Sequence, residues 1–308
     1  MKLAVPDLIS NSYFPAVAAV ELGLFKEEGL DMTLEMIFPV NKTLEMLRDG
    51  EINFVAGSAH STPHAFPEWQ GGKLLAALAQ GMYWFLILRT DLGAKQGDVD
   101  AVKGLRIGAA PLVDLGLKRL LAEAGIDLER DKVDIAPVPG AVAGGKVSFG
   151  VTAAQALADG KIDGFWANGM GAEVALQSGV GTLVIDARRG DGPPGAFNYT
   201  MAALITSASM IEDHPDACAA AVRALVKTHR ALKQDVSLAT EVGEKLFPPN
   251  EASLIANVVK RDLPYYDAAI TPEFISGMST FSRAMGLINE DVSYDQAVAT
   301  QFSELWTP

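Results

Sequence analysis

Cysteine is nearly absent. Cys218 is the single one in 308 residues, which excludes a disulfide within the chain and any cysteine-built zinc cluster. It lies in DACAAAVRALV, whose spacing reads as a buried helix face where Cys acts as a small hydrophobe. A catalytic thiol is the sharper alternative, but no activating charge pattern neighbours it in sequence. Apolar runs long enough to span a bilayer are missing too. So is a leader pattern: MKLAVPD runs straight into a strand, which leaves either a cytoplasmic chain or one whose leader has been removed. Basic residues are few, 25 against 38 acidic ones, and the net charge of -13 argues against nucleic acid as a partner.

Phosphate and nucleophile motifs are likewise lacking. GMGAEVALQSG (169–179) does not have the G-x-G-x-x-G order of a dinucleotide turn. PGAVAGGK (139–146) comes nearest to a P-loop, but its lysine is not followed by Ser or Thr, and it reads as a flexible rim loop. There is no G-x-S-x-G elbow. Only four histidines occur; His60 and His64 stand four apart, but Pro63 lies between them and no Glu follows the first. The expectation is therefore no metal and no cofactor, with His60 a neutral hydrogen-bonding group in a loop beyond a strand.

What is present is a chain with 49% hydrophobic residues, enough for sizeable cores, and a length that suits two domains. Strand and helix signals alternate from the start. Strands are expected at 3–7, 31–38, 52–57, 74–80 and 83–90, with helices at 12–28 (closed by Gly29) and 41–50. The unit then restarts with strands at 105–111, 133–139 and 162–169 and helices at 113–124 and 151–160. LRDGEINFVAG (47–57) is echoed by LADGKIDGFWANG (157–169), which fits a duplicated α/β design. Strand TMAALITSA (200–208) leads into a helical tail at 215–234, 237–246, 251–263, 272–286 and 293–305. DARRGDGPPG (186–195) is the most loop-like stretch.

The fold class expected is α/β: two lobes of mainly parallel sheet flanked by helices, with a helical C-terminal tail. Residues 1–90 plus 200–308 make lobe one and residues 91–199 lobe two. YWFLILRTD and NYTMAALIT are the two crossings, with hinges near 88–92 and 198–202 and a ligand cleft between the lobes. Aromatic and amide side chains fall where this scheme puts the cleft: Tyr13 and Phe14, Tyr83 and Trp84, Trp166 and Asn168, and Phe197, Asn198 and Tyr199. Flat apolar faces beside isolated polar groups suit a planar or partly apolar ligand, although any single ring serves equally well as core.

YFPAVAAVELGLFKEEGLDMTLEM resembles the start of the solute-binding proteins of the aliphatic-sulfonate, nitrate and thiamine-precursor type, the NMT-like family. DGEINFVAGSA, KGLRIGAAP and ALADGKIDGFWANG resemble their further signature segments. The resemblance implies a periplasmic-binding-protein-like fold of type II topology. It also implies a periplasmic location, capture of a small solute by a monomer, and delivery to the membrane permease of an ABC transporter. By the family pattern, ligand contacts come from Asn11, Ser12 and Tyr13, from Ser58, His60 and Ser61, from the Ala110–Val113 turn with Leu112, from Trp166 to Asn168, and from Asn198. That turn, AAPLVD, departs from the Gly/Ser-rich turn of sulfonate binders: it offers no hydroxyls, and Asp114 would repel an anion. The expected solute is thus aromatic or pyrimidine-like rather than a small alkylsulfonate. Two alternatives stand beside transport. One is an enzyme on the same fold, of the thiamine-pyrimidine or desulfonating type; the other is a soluble ligand sensor.

Overall fold

The computed structural model describes residues 1–7, 12–141, 149–247 and 249–307. Asn11, Pro248 and most of the PGAVAGGK loop lie outside the described residues. The chain divides into two compact units, Met1–Gly81 with Thr200–Pro308, and Met82–Tyr199.

The elements of the first unit run β1 (Lys2–Val5), α1 (Phe14–Glu21), α2 (Leu24–Glu27), β2 (Thr33–Met36), α3 (Val40–Arg48), β3 (Phe54–Ser58), α4 (Thr62–Ala65) and β4 (Gly72–Ala79). The second unit holds β5 (Phe85–Arg89), β6 (Arg106–Ala109), α5 (Asp114–Glu123), β7 (Asp134–Ala136), α6 (Phe149–Ala158), β8 (Gly164–Ala167), α7 (Gly169–Gln177) and β9 (Gly181–Asp186). The chain then returns to the first unit with β10 (Ala202–Ser207), α8 (Ala208–Asp213), α9 (Pro215–Gln234), α10 (Leu238–Leu246), α11 (Pro249–Asp262), α12 (Pro272–Ala284) and α13 (Tyr294–Ala297).

Each unit is built on a five-stranded sheet, in the orders β2-β1-β3-β10-β4 and β7-β6-β8-β5-β9. The orders correspond strand for strand, which is the duplication that the Asp-Gly echoes suggest. In both sheets four strands point one way, because a single antiparallel strand separates two that run alike. That strand is β10 in one sheet and β5 in the other, in each case the first strand after the chain changes unit. Strands such as FVAGS and GFWA are buried throughout, as expected of parallel sheet covered on both faces.

Four sequence expectations change. YWFLILRT is not the end of lobe one: Phe85–Leu88 pair with β8 and Phe85–Arg89 with β9, so the strand belongs to the second sheet. The bend expected at 88–92 therefore begins inside a hydrogen-bonded ladder, and the division between units falls at Gly81–Met82 instead. The helix expected at 12–28 is two helices, because Gly23 adopts φ 76°, the left-handed conformation that glycine tolerates and that ends α1. Strand β9 lies in a stretch that carried no expected strand. Finally, 293–305 is one helical turn followed by a 3₁₀ segment rather than a helix. Val298 bridges to Leu74 of the edge strand β4, Ala299 N–H donates to the Leu74 carbonyl (2.9 Å), and the Trp306 indole donates to the Leu75 carbonyl (2.9 Å). The tail thus satisfies backbone groups that an open sheet edge would leave bare.

Candidate functional site

In open α/β sheets, ligands bind beyond the carboxyl ends of the parallel strands. In the first unit that edge gathers residues from several segments. β1 ends at Val5 and is followed by Asp7, which is buried. Ser12 and Tyr13 precede α1, Phe14 opens it, and all three are buried. The Ser12 hydroxyl donates to Asp262 Oδ2 at 3.1 Å, and Asp262, the last residue of α11, is 0% exposed. β3 ends at Ser58, whose Oγ lies 2.6 Å from Ser61 Oγ across a 3₁₀ turn. His60 in that turn places Nδ1 2.8 Å from Thr200 Oγ1, at the start of the antiparallel strand, and sets its ring edge-on to Phe281 at 5.4 Å.

His60 and His64 do not share a face. The 3₁₀ turn holds His60, and α4 begins beyond it with Pro63 in its first turn. His64 Nε2 instead lies 3.2 Å from Glu45 Oε1 at the surface. Among the described residues no cluster of three or more His, Cys, Asp or Glu is arranged to hold a metal ion.

The second unit presents a row of neighbouring, mutually tilted rings along its equivalent edge, in the order of its strands. After β6 the turn carries Leu112 at φ 67°, a left-handed conformation that is costly for a branched side chain. The next residue, Val113, accepts a hydrogen bond from the Trp166 indole of β8 (3.1 Å). Trp166 and Trp84 have ring centroids 6.3 Å apart, and Trp84 and Tyr83 are 4.7 Å apart. The Arg188 guanidinium, in the turn after β9, stands 5.8 Å from the Tyr83 ring centre and is 4% exposed. The three rings are fully or almost fully buried. Truncating Trp166 to Ala is therefore first a packing change, costing about 3–5 kcal/mol.

Asn168 caps α7: its Oδ1 accepts from the N–H groups of Met170 (3.2 Å) and Gly171 (3.3 Å). Asn168→Ala is expected to cost roughly 1 kcal/mol in a urea titration, the usual loss for a cap. Asn198 ends a 3₁₀ turn, half-buried, and no described contact joins it to the ring row. Asp114 is paired with Lys118 one turn along α5, which offsets the repulsion of an anion expected from it.

Sequence reasoning missed Arg188 and Asp262. The first sits in the stretch read as a plain loop, and the second ends a helix 250 residues from its partner Ser12. Cys218 lies on the buried face of α9, 0% exposed, and burial pushes its thiol up to about 12, which leaves it protonated and unreactive near neutral pH.

No curated protein matches the chain. Among solved structures it is similar to the alkanesulfonate-binding protein SsuA from Xanthomonas axonopodis pv. citri bound to MOPS, at 16% identity over 97% of both chains with a TM-score of 0.70. The periplasmic nitrate-binding protein NrtA from Synechocystis PCC 6803 is similar at 14% identity, 99% of this chain, 86% of that one and a TM-score of 0.70. The desulfurization enzyme DszB also shares the fold, at 15% identity, 98% and 97% coverage and a TM-score of 0.64. The family model described as NMT1/THI5 like matches residues 10–235. The chain belongs to the NMT1/THI5-like family.

Proposed function

We propose that this chain is the solute-binding component of an ABC-type importer. It captures a small organic solute outside the cytoplasmic membrane, as a monomer, and passes it to a membrane permease. Family membership over residues 10–235 carries this reading, together with similarity to binding components of import systems. Among the described residues no helix is long and apolar enough to cross a membrane.

The solute is aromatic or pyrimidine-like, and its contacts come from the carboxyl edges of the two sheets: Ser12, Tyr13, His60 and Ser61 on one, and Leu112, Asn168 and the Tyr83–Trp84–Trp166 row on the other. The chain changes unit at Gly81–Met82 and at Tyr199–Thr200. The DszB likeness keeps an enzyme on this fold as the second reading, but the buried, protonated Cys218 supplies no nucleophile for it.

Native mass spectrometry of freshly purified protein is expected to release a co-purified small molecule, unchanged in mass after prolonged incubation. At a hundredfold excess over Kd that solute should add about 2.7 kcal/mol to stability. Turnover of the released compound would instead make the chain an enzyme, and the absence of any stabilising solute across aromatic, heterocyclic and anionic libraries would remove the binding reading.

A further inference from the structure

We propose a second binding site in the first unit, at the end of its sheet away from the candidate solute edge. It takes a neutral polyhydroxy compound, a monosaccharide or a linear polyol, with the Trp69 indole N–H as its anchoring donor.

The chain has four tryptophans. The indoles of Trp166 and Trp306 each donate to a backbone carbonyl. Trp69 is 1% exposed, and its Nε1 has no acceptor among the described residues. A buried indole N–H ordinarily finds one. Trp69 lines a cavity of about 360 Å³, within the range of small-molecule sites. It stands just before Gly72, the amino end of β4. Both β3 and β4 oppose β10, so they run alike, and this end is not the carboxyl edge. The turn Pro67–Trp69 is sharp, because Glu68 (φ 52°) and Trp69 (φ 59°) are both left-handed. Contacts from the tail hold it. The Glu68 carboxyl accepts from Asn289 N–H (3.1 Å) and Nδ2 (2.8 Å), and its carbonyl accepts from Gln296 Nε2 (2.7 Å). Lys73 Nζ donates to the carbonyls of Asp295 and Gln296, which ties the same segment to β4.

The polar groups of the cavity sort by proton direction. Its buried residues are Trp69, Ile288 and Val292, and of these side chains only the indole is polar, a pure donor. The exposed rim is mostly acceptors. Asn289 and Gln296 spend their amide nitrogens on Glu68, which leaves their amide oxygens. Glu290 and Asp291 add carboxyl oxygens, and Gln70 an amide that does both. No Lys or Arg is among the described lining residues; Arg283, in the adjoining cavity, is bound to Asp291 at 3.0 Å. An occupant must therefore accept at its inner end and donate at the rim. An ammonium group cannot accept the indole proton. A carboxylate or sulfonate leaves the rim acceptors unpaired and meets like charge. A hydroxyl does both, so several hydroxyls on one small carbon frame meet both demands.

The test titrates the full chain with sorbitol, glucose, gluconate and n-butylammonium at millimolar concentration, followed by the indole N–H signals in a proton–nitrogen correlation spectrum. Trp69→Phe removes one of the four signals and so identifies it. Sorbitol or glucose is expected to move the Trp69 signal saturably, with gluconate and n-butylammonium at least ~10-fold weaker. Trp69→Phe keeps a ring and loses the N–H; in isothermal titration it should weaken polyol binding by about tenfold, with the three remaining indole signals in place. Gln70→Ala, on the exposed rim, should weaken it severalfold without touching the core. A Trp69 signal that neither neutral polyol moves overturns the proposal, as does gluconate or n-butylammonium binding as tightly as sorbitol. Unchanged polyol affinity in folded Trp69→Phe removes the indole as anchor and overturns it equally.

Discussion

Gly171→Ala is expected to destabilise the second unit by about 2–3 kcal/mol, although alanine is the better helix former by roughly 1 kcal/mol. Gly171 lies in the first turn of α7, where the helix meets α6 at Gly150. A Cβ at Gly171 would stand 2.7 Å from both Cα and O of Gly150. Those atoms are backbone, so no rotamer change makes room, and one helix must slide. The surrounding layer is made of small residues (Ala153, Ala154, Ala172 and Ala175) packed beneath Phe165 and Leu157, so a shift opens gaps as it relieves the clash. The site feels the same displacement. A Cβ at Gly150 would approach Asn168 Oδ1 to 2.7 Å, the oxygen that caps α7. Gly150→Ala should therefore lose helix packing and cap together, whereas Asn168→Ala loses the cap and the proposed solute contact but keeps the packing. Urea unfolding followed by the near-ultraviolet signal of Trp84 and Trp166 checks the ranking, and a neutral or stabilised Gly171→Ala would show that the two helices can part at little cost.

Much of the scaffold was legible because its signals are local. Gly50 and Gly160 close α3 and α6 in the left-handed conformation, and each is followed by Ile and a buried strand, so the duplicated unit can be read from LRDGEINF and LADGKIDGF. Other features depend on contacts across the chain. β9 pairs with β5 nearly 100 residues earlier, and its GTLVID sits between two glycine-rich stretches that mask its pattern. Gly23 breaks a helix inside an apolar run where composition gives no warning. The tail beyond Tyr294 follows the exposed edge of β4 rather than its own helical preference. The same contrast holds for the candidate site. Residues at strand ends, such as Ser58, His60 and Asn168, could be placed from the strands themselves. Asp262 and Arg188 could not, because their position at an edge follows from tertiary packing on Ser12 and Tyr83.

Acidification from pH 7 to 4 is expected to cost the first unit about 3 kcal/mol through His229 alone. His229 projects from α9 into the core, where its Nε2 lies 2.8 Å from the Leu78 carbonyl and its ring stacks on the buried Tyr266 at 5.5 Å. A carbonyl only accepts, so Nε2 carries the proton and donates it. Burial lowers the pKa of the ring from 6.5 to about 4. The Leu78 carbonyl and Asp267 favour the charged form and Lys233 opposes it, but desolvation outweighs them. Between pH 6.5 and about 4 the unfolded chain therefore takes up a proton that the native chain refuses. This contribution is complete above pH 6.5, falls as pH falls through that window, and levels off below about 4. The Glu28 carboxyl, held below its usual value chiefly by hydrogen bonds from Lys227 and Arg223 against the opposing effect of burial, keeps its contribution above its ordinary value of 4.5 and weakens the fold only at lower pH. A comparison isolates the histidine. His229→Gln retains a donor for the Leu78 carbonyl and cannot titrate, so the unfolding free energy of the variant should depend less on pH than that of the parent by about 3 kcal/mol across the window. Parallel pH dependences would mean that the ring is protonated in the native chain. Its bond to Leu78 would then have to hold a full positive charge in a desolvated core beside the stacked Tyr266, with Lys233 opposing that charge.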